Sequence, residues 1–170
     1  RLSAGWAARV SYAIGYARGN AEANQTYINQ LQVGADPKLD LNFGPLDNDR
    51  KQNLAISGRY EIPHTGGLNV RGVYRWMSGI PITIQDTNFD ADRNGILFDP
   101  VGAGSYCGTG VNSICVENKG GRNGARGPGF QQADMRFGYR FRKGANQTFD
   151  VNFELYNLAN TANFDNPTGD

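Results

Sequence analysis

Leu2, Ala4, Trp6, Ala8, Val10, Tyr12, Ile14 and Tyr16 hold the even positions at the start of the chain. Ser3, Gly5, Ala7, Arg9, Ser11, Ala13, Gly15 and Ala17 hold the odd positions between them. Side chains of a strand point alternately to its two faces, so this pattern builds a ribbon with one apolar and one more polar face. It cannot build an amphipathic helix, whose apolar period is about 3.6 residues. Four later segments repeat the pattern. Leu54, Ile56, Tyr60 and Ile62 oppose Asn53, Ser57, Arg59 and Glu61, and Leu68, Val70, Tyr74 and Trp76 oppose Asn69, Arg71 and Arg75. Met135, Phe137, Tyr139 and Phe141 oppose Arg136, Arg140 and Arg142, and Phe149, Val151, Phe153 and Leu155 oppose Asp150, Asn152 and Glu154. The chain is all-β.

The connections between these segments alternate in length. A long Asn-, Asp- and Gly-rich stretch over 19–50 follows the first segment, and another over 86–132 follows the third. Short turns, Pro63-His64-Thr65-Gly66-Gly67 and Lys143-Gly144-Ala145-Asn146-Gln147, join the second to the third and the fourth to the fifth. Long external loops and short periplasmic turns are the rhythm of an antiparallel up-and-down transmembrane β-barrel. A soluble, secreted or surface β-sandwich that binds ligand through its loops is the rival, since its strands also alternate apolar and polar faces. The loop rhythm and the length of the first strand decide for the barrel. Trp6, Tyr12, Tyr16, Tyr60, Tyr74, Trp76 and Tyr139 all fall on the apolar face, as interfacial aromatic girdles require and as a sandwich core would also allow.

Composition narrows the classes further. The 170 residues carry a net charge of +1, which supplies no field to hold nucleic acid. No apolar run approaches the roughly 20 residues of a membrane helix, which excludes helical spans but leaves strands open. The chain opens on Arg1 with alternation already under way, and closes in the turn residues of 166–170. It reads as an excerpt of a longer chain, so the missing signal peptide carries no information on location.

The polar faces carry Arg9, Arg59, Arg71, Arg75, Arg136, Arg140 and Arg142 with Glu61, Asp150 and Glu154. They form either an anion-attracting lumen wall or a set of cross-strand pairs that stiffen the sheet, and the second reading is favoured. A turn that sets Arg142 opposite Thr148 brings Arg140 to Asp150 and Arg136 to Glu154. Alternation of faces requires paired numbers to have an even sum, which excludes a two-residue turn here.

Several stretches together resemble the C-terminal part of the barrel of a TonB-dependent transporter of the Oar-like kind. Gly44-Pro45-Leu46-Asp47-Asn48-Asp49-Arg50 leads into a strand ending Tyr60-Glu61-Ile62-Pro63. Ser78-Gly79-Ile80-Pro81-Ile82-Thr83 precedes an Asp/Asn-rich loop, and Gly121-Arg122-Asn123-Gly124-Ala125-Arg126-Gly127-Pro128-Gly129 precedes the fourth strand. Glu154-Leu155-Tyr156-Asn157-Leu158-Ala159-Asn160 runs on to Asn163-Phe164. These stretches span most of 44–166, while residues 1–43 match in pattern alone. The resemblance implies an outer-membrane barrel of about 22 strands, of which this chain holds about five; at this spacing such a barrel needs roughly 750 residues. It also implies an N-terminal plug, energy from the inner-membrane TonB system, and a transported ligand imported or exported across the bacterial outer membrane. Members of the family move siderophores, glycans, peptides or proteins. Residues 1–170 are read accordingly as a partial barrel without plug or final strand, and no coupling residue is carried over.

Three sites stand out. The stretch Asp86-Thr87-Asn88-Phe89-Asp90-Ala91-Asp92-Arg93-Asn94-Gly95 places oxygen ligands at alternate positions before a Gly turn, a pattern that suits Ca²⁺. An EF-hand is rejected because its twelfth position is Val101. The candidate calcium loop is Asp86, Asn88, Asp90, Asp92 and Asn94, with Asp99 as a further ligand, and a solvated Asn/Asp turn cluster is the competing reading. Cys107 and Cys115 enclose a flexible Gly-rich stretch and are expected to form a disulfide in an oxidising compartment. His64 is the single histidine and lies in a short turn, so Ser-His-Asp and Cys-His catalysis are not expected and the chain is read as no enzyme. The 120–129 stretch lacks the Gly-Lys-Ser/Thr ending of a phosphate loop. The 86–132 loop is expected to be ordered, by extension of the third strand through Ile80-Pro81-Ile82-Thr83-Ile84, by Ca²⁺ and by the disulfide, and to act as an external lid. A receptor or assembly role, in which the loops bind a partner without transport, is the remaining alternative.

Overall fold

The computed structural model describes residues 5–19, 43–86, 88, 90, 93, 95, 99–109, 113–144 and 147–164. In chain order its strands are β1 (Trp6–Ile14), β2 (Arg18–Gly19), β3 (Gly44–Pro45), β4 (Gln52–Glu61), β5 (Leu68–Met77), β6 (Pro81–Ile82) and β7 (Gln85–Asp86). There follow β8 (Asp99–Pro100), β9 (Gly104–Cys107), β10 (Cys115–Asn118), β11 (Ala125–Arg126), β12 (Phe130–Lys143) and β13 (Gln147–Leu155). The chain divides into two units, one of residues 1–13, 52–77 and 130–163, the other of 14–51, 78–129 and 164–170.

The first unit is a five-stranded sheet in the order β1-β4-β5-β12-β13. Each long strand lies beside its neighbours in sequence, and β4–β5, β5–β12 and β12–β13 are antiparallel pairs. At β1 the link to β4 is visible where Glu61 N–H donates to Gly5 O at 2.7 Å. In such a meander the two long connections leave one end of the sheet and the two short turns the other, as the loop lengths require. The β4–β5 turn is stitched by Thr65, whose hydroxyl donates to Ile62 O at 2.7 Å and accepts from Leu68 N–H at 3.2 Å.

Register sorts the two faces across the whole sheet. One row runs Tyr60, Val70, Phe137, Phe153; the row beside it runs Arg59, Arg71, Arg136, Glu154. Arg142 stands opposite Thr148, Arg140 opposite Asp150 and Arg136 opposite Glu154, as the even-sum rule requires. The apolar row stays open: Tyr60 is 44% exposed, Phe137 36% and Phe153 62%. Among the described residues no large side chain is fully buried, and the one buried hydrophobic is Ala125. A sandwich would cover such a face with a second sheet about 10 Å away; a barrel wall leaves it to lipid.

Three sequence expectations shift. The first strand is seen from Trp6, with 2–4 outside the described residues, and the fourth lengthens to Phe130–Lys143 because β5 pairs with it as far as Phe130. The Ile80-Pro81-Ile82-Thr83-Ile84 run is not continuous with the third strand, which ends at Met77. Pro81–Ile82 forms a separate short strand on Ala125–Arg126, with the same sum of paired numbers as Met77 and Phe130. Beyond β13 the chain turns back along β12, using asparagine in place of a continuing strand. Leu158 N–H donates to Ala133 O at 2.7 Å, and Asn157 N–H donates to Asp134 Oδ1 at 2.9 Å. The Asn163 amide then accepts from Gln131 N–H at 2.9 Å and donates to Gln131 O at 3.0 Å, replacing a peptide group on the ladder. Asn157 and Asn160 adopt φ of 50° and 48°, left-handed backbone that asparagine tolerates better than most residues.

The faces can be tested with neighbouring residues in the middle of β4. Ile56→Arg places a charge on the open apolar face and should destabilise the barrel folded in lipid by about 2–4 kcal/mol. Ser57→Arg, on the opposite face, should change stability by less than about 1 kcal/mol. Chemical denaturation of the full-length protein in bilayers reads both; equal effects would overturn the assignment of faces.

Candidate functional site

The second unit contains four short strand pairs: β2 with β3, β6 with β11, β7 with β8, and β9 with β10. With so little apolar material to bury, it is held by polar groups. Asp49, only 3% exposed, is the first hub. Its Oδ1 accepts from Ala17 N–H at 2.8 Å, and its carboxylate forms a tight ion pair with Arg126. The same guanidinium donates through Nη1 to Asp49 O at 2.8 Å and Gly79 O at 2.9 Å. Asn123, 4% exposed, is the second hub. Its N–H donates to Thr83 Oγ1 at 2.9 Å, its Oδ1 accepts from the same hydroxyl at 2.9 Å, and its Nδ2 donates to Pro45 O at 2.7 Å and Asp47 Oδ1 at 2.6 Å. Two close backbone approaches lock the arrangement. A Cβ built on Gly79 would lie 1.9 Å from Gly127 O, and one on Gly44 would lie 2.3 Å from Arg122 O. The stretches around 44–50, 78–83 and 121–129, far apart in sequence, thus form one interlocked clasp.

The β9–β10 hairpin carries the expected disulfide. Cys107 and Cys115 are directly opposed, with their Cα atoms 4.0 Å apart, and are bonded to each other. At its base Asn118, 5% exposed, donates through Nδ2 to Gly102 O at 3.0 Å and accepts from Gly120 N–H at 3.2 Å.

The candidate calcium residues are only partly gathered. β7 and β8 set Asp86 directly opposite Asp99. Asp86 Oδ1 accepts from Asn88 N–H at 2.9 Å, a local turn of the kind Asp side chains stabilise, and Asp90 Oδ2 accepts from Gly95 N–H at 2.8 Å. Asp92 and Asn94 lie outside the described residues. Among the described residues no three His, Cys, Asp or Glu side chains come together as a metal site.

In the first unit the arginine-rich face divides into paired and crowded parts. Arg140 grips Asp150 with two bonds of 2.7 and 2.9 Å, and Arg136 lies 3.3 Å from Glu154 while donating to Asn152 at 3.0 Å. These are the stiffening cross-strand pairs favoured from sequence. Arg59, Arg71 and Arg136, however, stand side by side on three successive strands, like charges that oppose one another. Glu61 reaches Arg59 only at 4.0 Å. Arg59, Glu61, Arg71, Arg140 and Arg142 line a cavity of about 510 Å³. Arg75 lies opposite Ala55 and Gln132, and Arg9 lies in β1. His64 occupies the exposed β4–β5 turn with φ 63°.

The hubs Asp49, Asn123 and Arg126 were not singled out as functional residues in the sequence. They lie inside the stretches that carry the family resemblance, and that placement was the available signal. Their partners are about 30 to 80 positions away, beyond the reach of any local pattern.

Residues 1–170 match a family model described as an outer membrane beta barrel domain. No curated protein and no solved structure matches the chain.

The clasp predicts a local phenotype. Gly79→Ala forces Gly127 away, and Asp49→Asn removes the charge opposite the part-exposed Arg126, a loss of about 1–3 kcal/mol. Each should speed protease cleavage within 78–129 several-fold while leaving the heat-modifiable mobility of the folded barrel intact. Reduction of Cys107–Cys115 should loosen the hairpin by on the order of 2–3 kcal/mol, read by cleavage near the hairpin tip. Unchanged cleavage after all three treatments would mean that neither clasp nor disulfide orders these loops.

Proposed function

Because the chain belongs to the outer membrane β-barrel domain family and hence to the bacterial outer membrane, we propose that it supplies wall strands and external loops to a TonB-dependent transporter. The observation that carries this reading is the clasp. The three stretches that resemble the transporter family around the loops are the ones that interlock through Asp49, Asn123 and Arg126. Strand patterning alone would suit any barrel, whereas this polar interlock is a specific use of those residues. The protein acts by binding and passage rather than by catalysis, with ligand captured at the loops and energy supplied through a part of the protein outside these strands. Ca²⁺ held by the 86–99 stretch would add a further restraint on the longer loop.

The preordered clasp also favours a second reading, in which the loops bind a partner and nothing is transported. In-cell cross-linking separates the two. The full-length protein, expressed in its own outer membrane, should form a cross-linked complex with TonB. Correct membrane insertion without any such complex would overturn energised transport and leave the receptor reading.

A further inference from the structure

The clasp borders an open cleft of about 470 Å³, within the roughly 300–1,000 Å³ of small-molecule sites. Its walls are of two kinds. Tyr16 and Phe43 present ring surface, 73% and 52% exposed, and the Arg18 guanidinium stands 5.6 Å from the centre of the Phe43 ring. Around them lie Arg18, Lys51 and Lys119, with Glu117 as the opposing carboxylate. Asp49 also lines the cavity, but its charge is already met by Arg126 and by Ala17 N–H. Among the described residues Arg18, Lys51 and Lys119 form no ion pair. Arg18, Lys51 and Lys119 therefore share a concave site with the exposed rings of Tyr16 and Phe43, Arg18 standing over the Phe43 ring, on a floor already fixed by the Asn123 bonds. A site held rigid before binding spends little on ordering, which favours ligand capture.

We propose that this cavity binds a small anionic ligand carrying a flat ring. Its carboxylate or phosphate would meet Lys51, Lys119 and Arg18, and its ring would lie against Tyr16 and Phe43. The assignment deepens the receptor reading by naming the ligand chemistry, and it rests on that reading for its biological meaning.

Calorimetry on the full-length protein in lipid nanodiscs tests it with three probes: phenyl phosphate, inorganic phosphate and benzyl alcohol. Phenyl phosphate should bind best of the three, and more weakly as salt is raised. The double variant Lys51→Gln/Lys119→Gln should weaken it about tenfold, and Glu117→Gln, which removes the opposing charge, should tighten it about two- to threefold. The Glu117 variant keeps the test informative if the double variant misfolds. Benzyl alcohol binding as tightly as phenyl phosphate would overturn the role of the cations, and inorganic phosphate doing so would overturn the role of the rings. No binding of phenyl phosphate at millimolar concentration would overturn the site. Binding is read here without transport, so a failure of TonB cross-linking leaves this result standing and the reverse also holds.

Discussion

Every backbone N–H and C=O within hydrocarbon must find a partner in protein, because water is not there to supply one. In this chain that demand is met sideways. β4, β5 and β12 each lie between two antiparallel neighbours, and the lateral bonds fix the register. Once register is set, the faces follow with no further choice, since a slip of one residue would turn Arg71 toward lipid and Val70 toward the interior. The same demand explains the turn-back after β13. Asn163 lends its amide to Gln131 at the end of β12, where a peptide group is no longer in position.

The loops answer the opposite problem. Surrounded by water and with Ala125 as the buried hydrophobic among the described residues, they gain little from apolar burial. Their order comes from desolvated polar groups that are satisfied in detail. Asp49 and Asn123 use side-chain and backbone atoms together, and the close glycine contacts at Gly44 and Gly79 let backbones approach where a Cβ would not fit. Such a structure is specific but brittle. A half-satisfied polar cluster is worse than none, because each orphaned group keeps its desolvation cost.

The two parts differ in how far they were legible. Strand existence, the apolar face and the Arg140–Asp150 and Arg136–Glu154 pairs follow from period two and one parity rule, because sheet register is a short-range, discrete quantity. The disulfide partners followed from spacing and compartment. The clasp did not, because nothing near Asp49 says that its counter-ion is Arg126. The Ile80–Ile84 run was legible only in part, for a related reason. Its β-branched residues report extended backbone and the register is kept, but they do not report the break at 78–80 that makes Pro81–Ile82 a separate strand. The Asp/Asn stretch shows the limit of ligand-type patterns. The same residues that could coordinate a cation also bond the nearby backbone, as Asp86 does to Asn88 N–H and Asp90 to Gly95 N–H.

The β9–β10 hairpin has a consequence for engineering. Its strands pair with each other, its tip is closed by Cys107–Cys115, and among the described residues none of the Asp49 or Asn123 bonds passes through the tip. Foreign peptide grafted between the two cysteines would inherit a closed stem and leave those bonds untouched. The hairpin is therefore a natural insertion point for a foreign peptide.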